Sequence, residues 1–109
     1  MNRDEILDQL YAVRRRLTVL IAQTEQQNVD PAALSSLVTQ RDRVVWIINR
    51  ILISELAASL VDTAEAVEKL AAATKELDAL KAEADGITKA IGIAKDVINV
   101  ALGVLGALR

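Results

Sequence analysis

Apolar residues recur along the first part of the chain with the period of a helix. Ile6, Leu10, Val13, Leu17 and Leu20 step by four and three residues, which sets them on one stripe. Asn2 and Glu5 form a capping pair at its start, and the predicted helix spans about 3–27. Asn28, Val29, Asp30 and Pro31 stop it. Asp30 suits an N-cap, and Pro31 suits the first helical position, where its missing N–H costs nothing. The helix that begins there carries Leu34, Leu37, Val38, Val44, Ile48, Ile51 and Leu52. Its centre, 44–53, is apolar on nearly every face, which predicts a central helix. The β-branched content would suit a buried strand as well, but the helical flanks argue against one.

Between Ile53 and Gly86 no strong helix breaker occurs, so two architectures compete. One is an all-α antiparallel bundle of about four helices, folding back near 59–63, where Asp62, Thr63, Ala64 and Glu65 supply a cap. The alternative is a helical hairpin containing one continuous helix from about 31 to 84. The first makes a particle about 35 Å long; the second contains a rod of roughly 80 Å at 1.5 Å per residue. Charge levels favour the folded-back form. The first hairpin sets Arg3 level with Glu55 and Asp8 level with Arg50. A turn near residue 60 sets Arg43 level with Glu76 to Asp78, and a turn at Gly86 sets Lys95 by Glu76, Asp96 by Lys75 and Arg109 by Asp62.

The stretch 86–109 carries two stripes. Ile87, Ile91, Ala94, Ile98, Ala101, Leu105 and Leu108 form an apolar one, widened by Ile93, Val97, Val100 and Val104. Roughly opposite run Lys89, Gly92, Asp96, Asn99, Gly103 and Gly106, all polar or glycine. Glycine inside a helix costs about 1 kcal/mol relative to alanine, so three in one stripe call for a reason. Close approach of another backbone at Gly103 and Ala107 is one; the composition of interfacial membrane helices is another. A third reading makes the stretch a buried fourth helix, in the bundle core or an oligomer interface. As a transmembrane span it fails, because the uncharged run 97–108 has only twelve residues.

Composition narrows the chemistry. The 109 residues suit a single domain over 1–109, and 52% of them are apolar, somewhat more than a chain of this size can bury. There is no histidine and no cysteine, which excludes disulfides, thiolate nucleophiles, imidazole acid–base chemistry and the usual zinc, haem and iron–sulfur ligands. Tyr11 and Trp46 are the two aromatics, too few for a base-stacking platform, and the net charge is −2, so no nucleic-acid partner is expected. The N-terminus lacks the apolar core of a secretory signal, and a cytoplasmic location is expected. The charge is unevenly spread: +1 over 1–53, −5 over 54–85 and +2 over 86–109.

Candidate sites are few. Arg14, Arg15 and Arg16 lie level with Arg41 and Arg43 in the first hairpin, a candidate anion-binding belt unless the acids Glu68, Glu76 and Asp78 face it within the same fold. Glu65 and Glu68 have a spacing seen in bundle metal sites, but without histidine, and with Lys69 placed to pair with Glu65, a solvated face is expected. Asp78–Lys81 and Asp85–Lys89 are expected surface ion pairs. Asn49 and Arg50 either fix register or occupy an exposed strip. Trp46, Ile48, Ile98, Leu102, Gly103, Leu105 and Gly106 are the candidate interface. No cofactor and no small-molecule substrate is expected. The chain is read as a non-enzymatic assembly protein, acting through helix–helix association with itself or another helical protein. The alternative is a protein that docks on membrane lipid through 86–109.

Overall fold

A computed structural model describes residues 3–26, 30–53 and 64–107. They form α1 (Arg3–Glu25), α2 (Pro31–Ile53), α3 (Ala64–Asp78) and α4 (Ala84–Ala107), with no strand among the described residues. Helix α1 packs on α2 and α3, and α4 packs on the same two, while α1/α4 and α2/α3 stand across the diagonals. The short connections make α1/α2 and α3/α4 antiparallel hairpins. Arg16, in the second half of α1, bonds to carbonyls at the C-terminal end of α3, so α1 and α3 run in one sense and α2 and α4 in the other.

The chain is thus a helical bundle with principal extents of 47 × 22 × 16 Å. The long-helix alternative is excluded, because α2 and α3 occupy opposite corners. For the same reason Arg43 on α2 does not meet Glu76 or Asp78 on α3, and that level match was fortuitous. Asn2, Gln27, Glu55, Asp62, Thr63, Leu108 and Arg109 lie outside the described residues, and with them the expected caps of α1 and α3.

The α1 stripe forms as its spacing predicts: Ile6, Leu10, Val13, Leu17 and Leu20 are all buried. Each such side chain contributes about 1.5–3 kcal/mol by leaving water. Helix α2 starts at Pro31, and the Ala32 amide donates to the Asp30 carboxylate at 3.0 Å, the expected N-cap. The apolar centre of α2 is not central, however. Val44, Ile47, Ile48 and Ile51 turn inward, but Trp46, Leu52 and Ile53 turn out, because a corner helix shows its neighbours little more than half its circumference. In α4 the buried arc runs through Ile87, Ala90, Ala94, Val97, Ala101 and Val104, and Ile91 and Leu105 are only half-buried at its edge. The polar and glycine stripe faces solvent throughout. Among the described residues, a methyl group at Gly92, Gly103 or Gly106 would meet nothing within 4 Å, so close approach of a described backbone does not explain these glycines.

The turn between α3 and α4 falls at 79–83, earlier than Gly86 and within a run of good helix formers. Leu80 N–H donates to the Leu77 carbonyl at 3.1 Å, a tightened last turn, and Ile87 N–H donates to the Glu83 carbonyl at 2.8 Å as α4 begins. Leu80 and Ala82 are drawn toward the core, which carries the chain across. Gly86 lies in the first turn of α4 with its backbone against the Lys81 carbonyl oxygen, where a Cβ has no room. The breaker therefore acts by permitting close approach and not by interrupting hydrogen bonds. Gly86→Ala should lower the stability by about 1–3 kcal/mol through this overlap. Gly92→Ala, into open space on a regular helix, should raise it by about 0.5–1 kcal/mol. Urea denaturation of the two variants gives opposite shifts of the midpoint if Gly86 is the constrained position.

Candidate functional site

The five arginines of the candidate belt have different surroundings. Arg16 is turned toward α3, where its Nε donates to the Leu77 carbonyl at 3.1 Å and its Nη2 to the Leu80 carbonyl at 2.8 Å. Those carbonyls sit at and just past the C-terminal end of α3, where the dipole favours a cation, and the Leu77 carbonyl accepts from Leu80 N–H as well. Asp78 lies 3.7 Å from the same guanidinium, instead of pairing with Lys81. Arg14 stacks over Tyr11 at 4.9 Å, and Arg41 pairs with Asp42 at 3.2 Å. Arg15 and Arg43 are exposed. So Arg16 is an internal clip between α1 and α3, and Arg41 pairs with its own neighbour. The contact spans 61 residues, and nothing in the local sequence announces it.

Of the candidate interface residues, Ile48 and Ile98 belong to the chain's own core, and Leu105 is half-buried against it. Trp46 is 55% exposed and Leu102 44%, and Gly103 and Gly106 are exposed. The larger exposed aliphatics on α2 are Ile53 at 71% and Leu52 at 44%, two residues of the apolar centre 44–53 outside the candidate interface. Asn49 and Arg50 face solvent, and the Arg50 guanidinium lies over the Trp46 ring at 5.6 Å. The buried polar residue of α2 is Gln40, whose Oε1 has no hydrogen-bond partner among the described residues. A signal for it existed: Leu37, Gln40, Val44, Ile47 and Ile51 step by three and four on one stripe.

On the opposite side, α3 and α4 leave an open groove of about 240 Å³. Ala73, Ile93, Val97 and Val100 line it, and Glu76 and Asp96 stand at its rim. The groove exists because α3 presents alanines at 72 and 73 where a larger side chain would close it. Lys69, also at the rim, is held by Glu65 at 3.0 Å, the ion pair expected from their spacing. No group of three or more acidic side chains capable of holding a metal occurs among the described residues. Nor is any helix among them long and apolar enough to cross a membrane.

The class these features define is a four-helix bundle with exposed aromatic and aliphatic side chains on α2. Compared with family models, with curated proteins and with solved structures, the chain shows no match.

Removing the Arg16 clip by Arg16→Ala should cost about 1–3 kcal/mol, since two carbonyls lose charged donors. Arg15→Ala should stay within about 0.5 kcal/mol. Gln40→Met, which removes the orphaned acceptor while filling similar space, should raise stability by about 1 kcal/mol. Thermal unfolding followed by circular dichroism orders the three variants.

Proposed function

We propose that the chain is a non-enzymatic assembly protein that associates with further copies of itself through the outer face of α2. The observation that carries this reading is the exposure of Trp46, Leu52 and Ile53 at one end of a helix whose inward stripe, Leu37 to Ile51, is already buried within the chain. Large aromatic and aliphatic side chains left in water cost free energy that an interface recovers, and Trp and Arg are the residue types that dominate such contacts. Trp46 and Arg50 already form a preorganised pair, so less side-chain entropy is lost when they dock.

Docking on lipid through α4 draws no comparable support. The apolar arc of α4 is built into the bundle, and exposing it to lipid would open the core at Ile87, Ala94, Val97 and Ala101.

Sedimentation velocity of the full chain over micromolar concentrations should show reversible, concentration-dependent association. Trp46→Ser and Ile53→Ser should each shift it toward the monomer with helicity unchanged. A wild-type chain that stays monomeric throughout would overturn the reading, and binding to anionic vesicles by such a monomer would replace it with the lipid one.

A further inference from the structure

We infer that the face on α2 docks in the groove between α3 and α4 of a second copy, joining copies head to tail. This rests on the self-association proposed above and names the surface that receives it.

Arg43, Trp46, Arg50 and Ile53 step by three, four and three along the outward side of α2, and all four are exposed. They form a knob: a large ring and an aliphatic side chain flanked by two cations. The groove is its complement in shape and in charge. At about 240 Å³ it falls below the size of ordinary small-molecule sites and suits one large side chain. Its lining is apolar, as an indole requires. Glu76 and Asp96 at the rim have no ion-pair partner among the described residues, while the one rim cation, Lys69, is paired with Glu65. Arg43 and Arg50 therefore meet two available carboxylates when Trp46 enters. The helices that carry them differ in the same sense: 31–53 has a net charge of +2 and 64–107, which builds both walls of the groove, a net charge of −2. Opposed potentials of this kind fix register and exclude wrong pairings.

Knob and groove lie on different faces, because α2 and α3 stand at opposite corners of the bundle. A chain cannot fill its own groove. Each copy offers one knob and one groove to different neighbours, so the contact is heterologous and the assembly grows as an open series. A two-fold dimer, by contrast, would pair the α2 faces with each other.

A pair of variants separates these arrangements. Trp46→Ala lacks the knob but keeps the groove; Ala72→Phe, at an exposed lining position, covers the groove but keeps the knob. Wild-type chain should grow beyond dimers as concentration rises, with the emission of Trp46, the sole tryptophan, moving to shorter wavelength. Each variant alone should associate about tenfold or more weakly. An equimolar mixture should restore a 1:1 dimer and the emission shift, because one knob and one groove remain compatible. Charge reversal gives a second route that leaves the apolar lining intact. Arg50→Glu and Asp96→Lys should each weaken association, and mixing the two should recover it. If Ala72→Phe associates like wild type, or the mixtures stay monomeric while wild type associates, the groove is the wrong receptor and only the α2 face stands. If wild type itself never associates, both proposals fall together.

Discussion

The fold depends on how a short corner helix is held. Helix α3 has 15 residues against 23, 23 and 24 in the others, and it turns only two large side chains, Leu70 and Leu77, fully into the core. Burial of two leucines is a weak tether for a helix that must span one corner of a bundle. The Arg16 guanidinium supplements it by donating to the Leu77 carbonyl, which also accepts from Leu80 N–H in the last turn, and to the Leu80 carbonyl just past the helix end. Where α3 ends, how the chain turns into α4, and where the surface stays open all follow from this corner.

The turn illustrates the dependence. Residues 79–84 are good helix formers, and local preference alone would carry α3 onward to Gly86. The chain instead leaves the helix where Arg16 donates to the Leu77 and Leu80 carbonyls, with Leu80 half-buried against the core and Ala82 buried in the turn. Gly86 then allows the new helix to start against the Lys81 carbonyl. Tertiary contacts override propensity, and the glycine makes the override sterically feasible.

The same thin corner shapes the surface. Alanines on α3 leave the groove toward α4, and the surplus apolar surface, which composition shows but does not locate, emerges on α2. The tail 86–109, with its glycines, was the natural place to expect it. There the glycines line the solvent side of α4, while its aliphatic residues, Leu102 excepted, are buried or half-buried against the core. Unburied apolar surface thus stands at one corner and an unfilled apolar groove between two others, with opposite charges around them.

Much of this was legible in residue order. The α1 stripe, the Asp30 cap with Pro31 behind it, the all-helical class and the Lys69–Glu65 pair are contacts between near neighbours, and helical periodicity with local capping chemistry determines them. Gln40 was legible too, since it falls on the inward stripe of α2. Other features required the tertiary structure. Val44 and Trp46 are equally apolar in a list of residues, yet one is buried and the other is not. That difference is set by which two neighbours α2 has, and so by the diagonal placing of α2 and α3. Arg16 reads as one of three consecutive arginines until a carbonyl 61 residues away needs its hydrogens. Sequence by itself determined what each helix must bury, because that depends on period and polarity along one segment. Only the tertiary structure decided what each helix left uncovered, because exposure depends on which segments come to lie beside it.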